Sequence, residues 1–156
     1  MPCVWVSIGS NIEPTRNVIA AVQALAEQFG PLRLSPVYRT PAVGFDGDAF
    51  LNLVAGFETD LDPAELHRLM RLIEEQNGRR RDAEKFSART LDIDVLTYGN
   101  QVTDEGGKHL PRDEIIKYAF VLKPLADVAP QQLHPELVRC YAELWQAFEG
   151  ERDGLV

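Results

Sequence analysis

Residues 89–99 read "RTLDIDVLTYG", with two aspartates inside an apolar, β-branched run. In an extended chain alternate side chains point the same way, so Asp92 and Asp94 share one face. Leu91, Ile93 and Val95 share the other. The run therefore reads as a strand with one buried face, turning at "YGNQ". Two readings of the aspartates stand: polar residues turned to water on a half-exposed strand, or a metal site. Two carboxylates at this separation can reach one hard cation or a pair of them, and without a cation their repulsion raises the pKa of one.

Outward from this strand, the chain reads as a succession of strands and amphipathic helices. "CVWVSIG" near the start is a short apolar run closed by glycine, a first strand. From Pro14 to Phe29, Val18, Val22, Leu25 and Phe29 recur at spacings of three and four, which predicts a helix closed by Gly30. "LRLSPVYRT" alternates as a strand does, with Pro36 placing it at an edge or bulge. "PAVGFDGD" reads as a loop, and "AFLNLVAGFET" as a third strand.

The second helix is the best-marked element. Asp62 caps it, Pro63 tolerates the first helical position, Glu65 completes a capping box, and Gly78 is expected to stop it. Leu66, Leu69, Met70 and Ile73 form its apolar stripe. After the aspartate strand, "AFVLKPLADVAP" is a further apolar segment, and a polar C-terminal helix is expected around "PELVRCYAELWQAF". Strand, helix, strand, strand, helix, strand predicts a ferredoxin-like α+β sandwich with helices on one face of an antiparallel sheet.

The 156 residues, 45% hydrophobic and 26% charged, are most simply one globular domain over 1–156. Cys3 and Cys140 match no metal-ligand spacing, which suits free thiols in a reducing cytoplasm. No secretory signal and no run of about 20 apolar residues is present, so neither export nor a membrane partner is expected. A net charge of −8 argues against nucleic acid as a partner. The apolar helix stripes are used by one core, and a monomer is expected.

Against that acidic background, "GRRRDAEKFSARTLD" places Arg79, Arg80, Arg81, Lys85 and Arg89 just ahead of the aspartates. A solvated basic loop is the plain reading, since a helix C-terminus favours cations. A polyphosphate site is the sharper one: magnesium takes one or two carboxylates plus phosphate oxygens, and arginines grip phosphates bidentately. Phosphate-loop, dinucleotide and nucleophile-elbow motifs are absent. His67, His109 and His134 are scattered, and His67 reads as a surface or packing residue.

The chain resembles the 6-hydroxymethyl-7,8-dihydropterin pyrophosphokinase family from about Val4 to Pro130. The matching segments are "SIGSN", "SPVYRTPAVG", "FLNLV", "IEEQNGRRR", "ARTLDIDVLTYGN" and "FVLKPLADVAP". The resemblance implies the ferredoxin-like fold, a pterin alcohol and ATP as substrates, and transfer of pyrophosphate from ATP in folate biosynthesis. It implies that Asp92 and Asp94 bind two Mg2+ ions and that Arg79 and Arg89 assist transfer along the phosphates. Thr40, Pro41, Val43 and Asn52 would line the pterin pocket, with Phe120 stacking on the ring; by itself Phe120 reads as core. Glu74, Arg81, Lys85 and Arg112 would lie on the nucleotide side, and Glu74 alternatively reads as an exposed helix residue.

The nucleotide side departs from the family pattern. Arg112 stands where a histidine is expected, Tyr118 where an arginine is expected, and Asp113 where proline or tyrosine is usual. A pterin-binding paralogue with weak, altered or no transfer is the alternative reading of these changes.

Overall fold

The computed structural model describes residues 1–41, 49–77 and 91–150. The first strand, β1 (Cys3–Ser10), leads into α1 (Pro14–Phe29), as the apolar spacing predicts. Gly30 closes the helix at a φ of 79°, a positive-φ conformation that glycine adopts without steric cost. Two short strands follow, β2 (Arg33–Leu34) and β3 (Tyr38–Thr40), then the long β4 (Phe50–Glu58). Beyond α2 (Pro63–Gln76) lie β5 (Asp92–Tyr98), α3 (Glu114–Lys117), α4 (Ala119–Val128) and α5 (Tyr141–Gln146).

All the strand pairs are antiparallel, in the order β2-β4-β1-β5, with β3 also on β4. The segment expected as one strand at "LRLSPVYRT" is two. Leu34 pairs with Ala55 and Tyr38 with Asn52, so the outer chain carries one residue more than β4 across that interval. Pro36 has no N–H for the ladder, and Ser35 bridges the break: Val54 N–H donates to its Oγ at 2.8 Å.

Alternation along the strands divides the core into two layers. Val4, Val6, Ile8, Leu53, Ala55, Phe57, Ile93 and Val95 face α1 and α2, packing on Leu25, Leu66, Met70 and Ile73. Trp5, Val54 and Leu96 face the other way, against Ile115, Val121, Leu122, Leu125, Tyr141 and Leu144. The fold class is thus the expected α+β arrangement, but the sheet is covered on both faces. The reason is that "AFVLKPLADVAP" folds as α4 and carries its own buried side chains to the second face.

Helix ends follow capping chemistry. Asp62 accepts from Glu65 N–H at 2.8 Å while Glu65 accepts from Asp62 N–H at 3.2 Å, the reciprocal box expected. Asn77 closes α2, its side-chain amide donating to the Ile73 carbonyl at 2.8 Å; Gly78 lies outside the described residues. The C-terminal helix starts later than expected, at Tyr141, because residues 134–138 form a turn with Val138 at a φ of 53°. Among the described residues no helix is long and apolar enough to cross a membrane.

Asp62→Ala removes the box and is expected to cost about 1 kcal/mol. Urea unfolding should show a lower midpoint with an unchanged slope.

Candidate active site

The register of β1 with both neighbours lays the polar residues of the site in rows. Gly9 pairs with Asn52 of β4 on one side and Asp92 of β5 on the other. Ser7 pairs with Val54 and Asp94 in the same way. Directly opposed residues share a face, so Asn52, Asp92 and Asp94 lie on the side that carries Trp5 and Leu96. Ile93 and Val95 hold the opposite side in the core. The aspartates interrupt no apolar layer.

Gly9 is the low point between the amide and the carboxylates. A Cβ there would stand 2.8 Å from Asn52 Oδ1, so the carboxamide leans over the glycine. Asn52 Nδ2 donates to Thr40 Oγ1 at 2.7 Å, and both residues are buried. That bond directs the amide oxygen over β1. Pro41 follows at the exposed edge of β3. Val43, expected beside them, and the expected phosphate residues Arg79, Arg81, Lys85 and Arg89 lie outside the described residues.

α4 covers the same face. Phe120 is half-buried at its first turn and stacks with Tyr118, ring centroids 5.0 Å apart. Phe120 also packs at the margin of the second core layer, so its reading as core is partly correct. α4 is tied to β3 through Tyr38, whose hydroxyl donates to Asp127, and Lys123 holds the second Asp127 oxygen at 2.7 Å.

The electrostatics centre on Asp94. Burial, and then the neighbouring Asp92 charge, push its pKa up to about 6 against the pull of Lys108 and Arg112. Lys108 Nζ stands 3.6 Å from Asp94 Oδ1. Arg112 is held otherwise: its Nε and Nη2 donate to Glu114 Oε2 at 2.9 and 2.6 Å. Its backbone N–H donates to the Leu96 carbonyl at 2.9 Å and fastens the segment to β5. Burial, followed by the charges of Lys108, Arg112 and Arg71, holds His67 below the ordinary imidazole range. It packs against Gly106, as a packing residue would.

Glu74 departs from its reading as an exposed helix residue. It is 2% exposed, and its Oε2 accepts from Ile93 N–H at 2.8 Å. The bonded peptide lies between the two aspartates, so a buried carboxylate from α2 fixes the strand that carries them. Glu74 was legible as near the site but not as a backbone anchor, because its partner is an amide 19 residues away. Gly9 and Lys108 were missed as well. "SIGSN" was a signal for Gly9, whereas Lys108 sits in a loop with no motif around it.

Comparison with known proteins gives the family and the fold. The family model described as 7,8-dihydro-6-hydroxymethylpterin-pyrophosphokinase matches residues 5–130. A 2-amino-4-hydroxy-6-hydroxymethyldihydropteridine pyrophosphokinase of Pseudomonas aeruginosa is 38% identical, over 85% of this chain and 84% of its own. A protein of the same description from Methylorubrum extorquens is 40% identical, over 83% and 84%. The crystal structure of wild-type Plasmodium falciparum HPPK-DHPS superposes with a TM-score of 0.72 at 12% identity, a likeness of fold. It covers 94% of this chain, which spans 44% of that longer one.

Two outcomes follow from the carboxylates. The native Asp94 pKa lies above the ordinary value, so its contribution to stability falls as pH rises from about 4 to about 6. In chelator, Asp94→Asn should therefore be more stable than wild type above pH 6, by about 1–3 kcal/mol. The difference should vanish toward pH 4 in urea titrations. For Glu74, Gln retains an acceptor for Ile93 N–H and Leu does not. Glu74→Gln should keep most of the stability, while Glu74→Leu should lose about 1–3 kcal/mol by orphaning a buried donor.

Proposed function

The chain belongs to the 7,8-dihydro-6-hydroxymethylpterin-pyrophosphokinase family, and from that premise we propose that it transfers pyrophosphate from ATP to 6-hydroxymethyl-7,8-dihydropterin in folate biosynthesis. The observation that carries this reading is the row Asn52–Gly9–Asp92. It puts an amide suited to a heterocycle edge beside a carboxylate pair suited to a polyphosphate-bound cation. No observation favours a paralogue that binds the pterin without transfer.

In the reaction the pterin hydroxymethyl oxygen bonds to the β-phosphorus of ATP. The bond from that phosphorus to the bridging oxygen breaks, AMP leaves with the electron pair, and the hydroxyl proton passes to solvent. No residue becomes covalently modified, consistent with the lack of a nucleophile motif. The Asn52 amide, oriented by Thr40, fixes the pterin edge, and by the family resemblance Pro41, Val43 and Phe120 line the ring. Alignment of the hydroxymethyl group over β1 toward β5 supplies the proximity term of catalysis.

Asp92 and Asp94 fit Mg2+. They are two same-face carboxylates, and burial together with the neighbouring Asp92 charge holds Asp94 at a raised pKa that a bound cation would relieve. Among the described residues no third acidic, imidazole or thiol group joins them, a ligand count that suits an ion completed by phosphate and water oxygens. Magnesium, two ions by the family resemblance, would supply charge to the polyphosphate when bound. By the same resemblance Arg79 and Arg89 assist transfer, with Arg81, Lys85 and Arg112 along the nucleotide. Arg112 reaches it by sharing or leaving Glu114. A monomer in the cytoplasm completes the proposal.

The test is release of AMP from ATP and the pterin alcohol in the presence of Mg2+. Wild type should form AMP and the pterin diphosphate in equal amounts, and Asp94→Ala should lose at least about 100-fold in rate. ADP as the nucleotide product, or undiminished AMP formation by Asp94→Ala, would contradict the reading. Gly9→Ala should raise KM for the pterin far more than KM for ATP, because its methyl group displaces the Asn52 carboxamide.

A further inference from the structure

We infer that Lys108 is an exchangeable counter-ion: it neutralises Asp94 while no divalent cation is bound and moves to the nucleotide polyphosphate when Mg2+–ATP binds. The inference rests on the pyrophosphokinase reading and adds a nucleotide-positioning residue to it.

The ammonium lies 3.6 Å from Asp94 Oδ1, and the two side chains are only 29% and 28% exposed. It therefore meets the carboxylate in a partly covered setting, where a charge is poorly replaced by water. A divalent ion on Asp94 would face Lys108 at close range, and like charges at that distance repel. The nearest available anion would then be the polyphosphate held by that ion. Lysine suits the exchange, being a point charge on a flexible four-carbon stem that binds phosphate.

The loop around Lys108 is anchored, so the side chain alone has to move. Thr103 and Leu110 exchange both backbone hydrogen bonds, at 3.0 and 2.8 Å. Gly106 and Gly107 turn through φ values of 83° and 85°. Gly106 presses on α2 so closely that a Cβ would stand 2.6 Å from His67 Cδ2. His109 bridges Asp104 and Glu136 at 2.9 and 3.0 Å. Arg112, the neighbouring cation, already has Glu114 as a carboxylate of its own. Lys108 thus differs from it in being paired with the candidate metal ligand itself.

Calorimetric titration of wild type, Lys108→Met and Lys108→Arg tests this with two ligands: Mg2+ alone, and α,β-methylene ATP at saturating Mg2+. Removing the charge should move the two affinities in opposite directions. Lys108→Met should bind Mg2+ alone about threefold tighter or more, and the nucleotide analogue about tenfold weaker. Lys108→Arg should stay close to wild type in both. Unchanged affinities in Lys108→Met, a shift of both in the same direction, or an Arg variant that behaves like Met would overturn the inference alone. A wild type that binds no analogue would overturn the pyrophosphokinase reading and this inference with it.

Discussion

Gly9 stands opposite Asn52 of β4 on one side and Asp92 of β5 on the other, and the rest of the site depends on that double register. A one-residue slip of β1 against either neighbour would turn every side chain of the slipped strand to the wrong layer. The apolar residues prevent it. Val4, Val6 and Ile8 are locked beneath α1 and α2, while Trp5 points into the layer under α4 and α5. Core packing therefore fixes the register, and the register sets Asn52 and Asp92 on either side of one glycine.

Charge is arranged around β5 with the same economy. Glu74, buried behind the strand, holds the peptide between the aspartates. The aspartates in front repel each other, and Lys108 and Arg112 relieve part of that repulsion from the segment that follows β5. A strand left free to bend would let the carboxylates splay apart. Anchoring from α2 holds the peptide between them in place, so the two side chains keep a common face.

Local signals in the chain predict the parts governed by local physics. Asp62, Pro63 and Glu65 mark a helix start because capping acts within four residues, and the stripes of α1 and α2 follow from helical period. The alternation in "LDIDV" separates the aspartate face from the core face correctly for the same reason. Pro36 signals the interruption of an edge strand, though not that Ser35 would stitch it. α4 escaped assignment because it is apolar nearly all round and carries Pro124, so periodicity cannot separate it from a strand. The roles of Glu74 and Lys108 depend on tertiary neighbours: an amide on another element, and a carboxylate two turns of chain away. No spacing rule reaches them. Family resemblance is what singles out Thr40 and Asn52 for a pterin pocket, and their mutual hydrogen bond gives a physical reason for their pairing.

The central claim is that the cation sits on Asp92 and Asp94, one strand away from Gly9 and two from Asn52. Paramagnetic broadening by Mn2+, bound with a non-hydrolysable ATP analogue in place of Mg2+, reads that position directly in amide NMR spectra. The account predicts that the amides of Ser7, Gly9, Asp92, Ile93, Asp94 and Lys108 broaden first and that Asn52 follows. Broadening centred on the acidic start of α2, at Asp60, Asp62 and Glu65, with the β5 amides still sharp, would contradict it.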